Sequence, residues 1–117
     1  MSAADEIRDT ADGPSRDEVD AMQEAVVIEF GAAHCGHCRA AQPLIAQALE
    51  QHPAVRHIKV EDGPGRKLGR SFRVKLWPTL IFMDQGREVA RLVRPAEAQD
   101  IEQALRQIDV TAARGDS

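Results

Sequence analysis

The apolar positions of the chain fall into runs of two kinds. Residues 26–30 (Val-Val-Ile-Glu-Phe) and 79–83 (Thr-Leu-Ile-Phe-Met) are almost continuously apolar, the pattern of central strands covered on both faces. Residues 55–60 read as a further strand. Residues 88–93 mix apolar and charged positions, read as an antiparallel, half-exposed strand, and follow Asp84-Gln85-Gly86-Arg87, which has hairpin-turn composition. Between these lie helical periods. Ser15-Arg16-Asp17-Glu18 fits a capping box and opens a helix to about residue 24, with Val19 and Met22 turned inward. A longer helix runs from residue 36 or 38 to about 51, with Pro43 inside it and His52 as a solvated residue at its end. A short helix over about 66–72 places Leu68 and Phe72 on the core. A last helix, with Pro95 in its first turn, carries Ile101, Ala104, Leu105 and Ile108 at core spacing. Strands and helices in this order predict an α/β fold, a mixed sheet with helices on both faces.

Composition narrows the function. At 117 residues the chain suits one domain, predicted over residues 15–109, with a polar arm over 1–14, an edge strand near Ile7 and a frayed tail over 110–117. Fifteen basic against nineteen acidic residues give a net charge of −4 without a basic stripe, which argues against nucleic acid and anionic membrane as partners. The N-terminus shows neither a secretory apolar region nor a membrane span, so the chain reads as cytoplasmic. It reads also as a monomer.

The chemistry concentrates in residues 29–39, which hold both cysteines, two of the four histidines and a carboxylate within an apolar run. If a strand turns into a helix at Gly31-Ala32-Ala33, Cys35 sits at the helix N-terminus, where unpaired N–H groups and the helix dipole favour a thiolate. Cys38 lies one turn on, more sheltered and within reach. One attacking and one resolving sulfur are what dithiol-disulfide exchange needs. Glu29 interrupts five apolar neighbours. Buried there, it should have a raised pKa and accept the Cys38 proton, with His57 or Lys59 on the next strand as its charge partner.

Cys35-Gly36-His37-Cys38, Pro43 in the following helix, Trp77-Pro78-Thr79 before a strand, Gly86 in the hairpin and the final amphipathic helix occur together in one order. Over residues 15–108 the chain therefore resembles the thioredoxin family, with the Cys-Gly-His-Cys dipeptide and the glutamate of its protein disulfide isomerase branch. The resemblance implies a thioredoxin fold, with sheet order 1-3-2-4-5 or the same sheet without a regular first strand. It also implies a cis bond before Pro78 beside the sulfurs, and a backbone at Trp77 that pairs with substrate. His37 would support the Cys35 thiolate, giving a pair more oxidising than thioredoxin's. Trp77, Thr79, His34 and Arg94 would contact substrate. The sequence departs from the family at Ala33-His34, where a tryptophan is usual, at the bulky Trp77, and at Arg94, where a groove-lining glycine is common.

The function expected is a protein-disulfide oxidoreductase with a redox-active Cys35-Cys38 disulfide and no other cofactor. Its partners would be disulfide-containing proteins and an electron donor of the thioredoxin-reductase or low-molecular-weight thiol type. Two alternatives follow from the same residues: a metal-binding or delivery module using His34, Cys35, His37 and Cys38, and a client-specific redox adaptor. A single helical turn wraps four such close ligands around one ion poorly, so no metal site is expected.

Overall fold

The computed structural model describes residues 13–109, which form four helices and four strands. Helix α1 (Arg16–Asp20) opens on the expected capping box: the Ser15 hydroxyl accepts from the Glu18 N–H, and the Glu18 carboxylate accepts from the Ser15 N–H. It ends at Asp20, four residues before the periodicity suggested. Strand β1 (Val26–Gly31) feeds α2 (Gly36–Glu50), followed by β2 (Arg56–Glu61) and α3 (Lys67–Ser71). Strands β3 (Thr79–Asp84) and β4 (Arg87–Val93) form a hairpin, and α4 (Ala98–Ile108) closes the domain. Pro95 stands before α4, whose N-cap is Glu97, rather than in its first turn.

The sheet order is β2-β1-β3-β4, with β1 parallel to β2 and antiparallel to β3, and β3 antiparallel to β4. This is the mixed sheet of the thioredoxin fold as four strands. The edge strand anticipated near Ile7 lies outside the described residues. The β3–β4 turn uses positive φ at both Gln85 (52°) and Gly86 (77°), the backbone a two-residue hairpin needs. A side chain at position 86 would also run into the Asp20 carbonyl, so glycine there joins the hairpin to the end of α1.

Strand alternation splits the core into two layers. Val26, Ile28 and Phe30 of β1 join Ile58, Val60, Ile81 and Met83 beneath α1 and α3, where Phe30 and Phe72 pack with ring centroids 5.9 Å apart. Val27 joins Leu80 and Phe82 beneath Ala41, Ile45 and Ala48 of α2 and Ile101, Ala104, Leu105 and Ile108 of α4. Glu29 follows Val27 by two residues and so points into this second layer. It meets the polar Gln42 of α2 there rather than the apolar residues of that helix.

Candidate active site

Cys35 is the N-cap of α2, in extended conformation, and its sulfur accepts the Cys38 N–H at 3.1 Å. This is one of the donors a helix start leaves unpaired, and it points at the atom that would carry negative charge. Cys35 is half-buried and Cys38 buried, both as free thiols. Gly31, at the end of β1, keeps the Cys38 sulfur in place: a Cβ there would stand only 3.0 Å from it. Burial first, and then the neighbouring Cys35 and Glu29, push the Cys38 thiol up to about 11. The two sulfurs are thus unequal, the outer one solvated by a backbone donor and the inner one held protonated by its surroundings.

Glu29 is 3% exposed and forms the centre of a polar chain beneath the cysteines. Oε1 accepts from His57 Nε2 at 2.8 Å, and Oε2 accepts from Gln42 Nε2 at 2.6 Å. The same Gln42 nitrogen reaches the Cys38 carbonyl at 3.1 Å, and its Oε1 accepts from Lys59 Nζ at 3.4 Å. The expectation that burial alone would raise the Glu29 pKa is corrected by these partners. Desolvation does oppose the charge and is the largest single influence, but the His57 and Gln42 hydrogen bonds, with the His57 and Lys59 charges, together lower the pKa. The register explains the division of labour between the two candidate partners. Lys59 lies directly opposite Glu29 across β1 and β2, and reaches out to Gln42, whereas His57, opposite Val27, leans along the strand onto the carboxylate. Gln42 did not stand out in the sequence. Its only signal is its spacing of four from Cys38, which puts both on one face of α2.

The other side of the dithiol is built by the segment before β3. The Trp77–Pro78 bond is cis, and the Trp77 carbonyl lies 3.9 Å from the Cys35 sulfur. The indole of Trp77 donates to Asp62 Oδ2 at 2.9 Å. Gly69 makes room for that carboxylate, since any Cβ there would collide with it. Thr79 is 1% exposed and its hydroxyl donates to the Leu76 carbonyl at 2.6 Å, so its side chain braces the loop and is not presented to a substrate as expected. Arg94 is exposed with φ 51°, and its Nε donates to the Trp77 carbonyl at 2.9 Å while its backbone N–H donates to the Pro78 carbonyl at 2.9 Å. A residue with a Cβ pays roughly 1–2 kcal/mol for this left-handed backbone, which accounts physically for glycine being common there.

His34 and His37 are both exposed, and neither hydrogen-bonds to a sulfur. His52, read as a solvated helix-end residue, is instead 2% exposed, with Nδ1 2.6 Å from Asp109 and Nε2 3.0 Å from Glu102. Its carboxylate partners on and beyond α4, some fifty residues away in sequence, gave no local signal. Among the described residues no three His, Cys, Asp or Glu side chains are placed to share one metal ion, and no helix is long and apolar enough to cross a membrane.

Residues 8–107 match the family model for thioredoxin. Thioredoxin C-3 of Corynebacterium nephridii is 33% identical over 82 residues, 70% of this chain and 57% of its own length. Protein disulfide-isomerase of Zea mays is 34% identical over 99 residues, 79% of this chain and 19% of its own. The matches to the first three curated relatives span 57–65% of those proteins' lengths. Among solved structures, that of thioredoxin 2 from Pseudomonas aeruginosa PAO1 in its reduced form superposes with a TM-score of 0.76 at 55% identity, over 85% of this chain and 92% of that one. With the fold, the unequal cysteine pair and the buried carboxylate already in place, these matches settle the family: the chain belongs to the thioredoxin family.

Proposed function

We propose that this chain reduces or exchanges disulfides in protein substrates through Cys35 and Cys38, in the cytoplasm and as a monomer. The observation that carries the reading is the inequality of the two sulfurs: Cys35 accepts a backbone donor at the helix start, while the Cys38 thiol is held at about 11. The Cys35 thiolate attacks one sulfur of a client disulfide, forming a mixed disulfide and expelling the other client sulfur, which takes up a proton. Cys38 then loses its proton to the Glu29 carboxylate and attacks Cys35. The mixed disulfide breaks, the second client sulfur leaves as a thiolate that takes up a proton, and two electrons have passed from the pair to the client. An electron donor of the thioredoxin-reductase type, or a small thiol, restores the dithiol.

Glu29 suits the accepting role because its hydrogen bonds keep it ionised when Cys38 must ionise. Insulin reduction driven by dithiothreitol tests the reading. Wild-type protein should accelerate it, and Cys35→Ser should abolish the acceleration. Cys38→Ser should lose turnover and accumulate a mixed disulfide with insulin, visible by non-reducing electrophoresis. Full acceleration by Cys35→Ser would refute the assignment of the nucleophile.

A further inference from the structure

We propose that Arg94 selects clients carrying a carboxylate side chain next to the disulfide, docked across a cationic rim around Trp77. This deepens the oxidoreductase reading above and rests on it.

The Trp77 carbonyl is where the docking surface and the chemistry meet. The Cys35 sulfur lies 3.9 Å from it and Arg94 Nε donates to it at 2.9 Å. The guanidinium is therefore anchored beside the attacking atom. Its backbone is fixed as well, by the N–H bond to the Pro78 carbonyl. The anchoring uses one of the five N–H groups of the guanidinium. Among the described residues, neither terminal nitrogen has a hydrogen-bonded or ion-pair partner, and the residue is exposed. A held planar fork with its outer donors open fits a planar bidentate acceptor, and among protein side chains that is a carboxylate.

The cavity that Trp77 lines has the same sign. It measures about 370 Å³, with Arg70, Arg73 and Lys75 in its lining along with Trp77. Its one lining carboxylate, Asp62, already accepts the Trp77 indole N–H. A protein with a net charge of −4 thus gathers Arg94 at the carbonyl of Trp77 and Arg70, Arg73 and Lys75 in the cavity that Trp77 lines. An acidic client segment lying over Trp77 would meet Arg94 at the carbonyl and Arg73 and Lys75 at the cavity.

Two disulfide-linked peptides, identical except for Glu or Lys beside the cysteine, test this with dithiothreitol as the electron donor. The readout is the ratio of kcat/KM for the two peptides within each variant, which cancels any general loss of activity. Wild type should favour the Glu peptide by about tenfold at low ionic strength, falling toward parity in about 0.5 M salt as exposed charges are screened. Arg94→Lys should keep part of the preference, Arg94→Gly should lose most of it, and Arg94→Glu should reverse it. A wild-type ratio of one, or a ratio that Arg94→Glu leaves unchanged, overturns the proposal while the oxidoreductase reading stands. Failure of wild type to reduce either peptide overturns both.

Discussion

Glu29 shows how a buried charge is retained and what it can then do. The desolvation penalty at position 29 is opposed by hydrogen bonds from His57 and Gln42 and by the nearby charges of His57 and Lys59. Replacing His57 by alanine removes the first of these and a nearby positive charge, leaving desolvation less opposed. The Glu29 pKa should then rise, and carbon-detected NMR titration of its carboxyl group reads this directly. The acid limb of the pH profile for mixed-disulfide resolution should move up with it, because a protonated Glu29 cannot accept the Cys38 proton. An unmoved Glu29 titration in His57→Ala would show that Gln42 and Lys59 suffice. The sequence made the carboxylate visible, since one acid in a β-branched run has few bland explanations. It did not reveal the sign of its shift, which depends on a diagonal reach from His57 and on a glutamine one helical turn past Cys38. Both belong to side-chain direction across two elements rather than to any local pattern.

At the scale of elements, the ends of α2 and α4 are tied through the buried His52 side chain. The two ring nitrogens of His52 reach Asp109 at 2.6 Å and Glu102 at 3.0 Å, one carboxylate to each nitrogen. His52→Leu should lower the free energy of unfolding by about 2–3 kcal/mol, since it removes the 2.6 Å hydrogen bond to the buried Asp109 carboxylate and the one to Glu102. Arg106→Ala touches Glu102 through a 2.7 Å bond on the solvent side, where the arginine side chain is 60% exposed, and should cost less than about 1 kcal/mol. Urea unfolding of the two variants decides it, and equal small losses would mean that the histidine is a spectator. The elements themselves were readable: the capping box at Ser15, the continuous runs of β1 and β3, and the Asp84-Gln85-Gly86-Arg87 turn all lie where patterning puts them. What joins them was not. His52 follows a helix end and precedes a proline, which is the profile of a solvated residue, and only the packing of α4 against α2 encloses it. Arg94 belongs to the same class. Its position in the chain suggested the groove, but its bond to the Trp77 carbonyl depends on a left-handed backbone that arginine adopts rarely.

For the whole molecule, the lowered and raised pKa values set a pH window of stability whose two edges have different origins. Glu24, Glu29 and Glu102 all have folded pKa values below the ordinary carboxylate range. Backbone and Arg56 hydrogen bonds lower the first; His57 and Gln42 outweigh desolvation in the second; Arg106 and His52 lower the third. A depressed carboxylate contributes stability that is present above its unfolded pKa and lost as the pH falls through its folded one, so the acid edge begins near the ordinary value of about 4.5. The alkaline edge belongs to Cys38. Its thiol is raised from 9.0 to about 11, so between those values the unfolded chain has released a proton that the folded chain still holds. The unfolded state then binds fewer protons, and stability falls with rising pH across that interval. The loss requires a free thiol. Chemical denaturation of the dithiol form from pH 8 to about 11 should therefore show a decline that the Cys35-Cys38 disulfide form and Cys38→Ala both lack. An equal decline in all three would place the alkaline edge elsewhere in the molecule and remove the protonated inner sulfur from the mechanism.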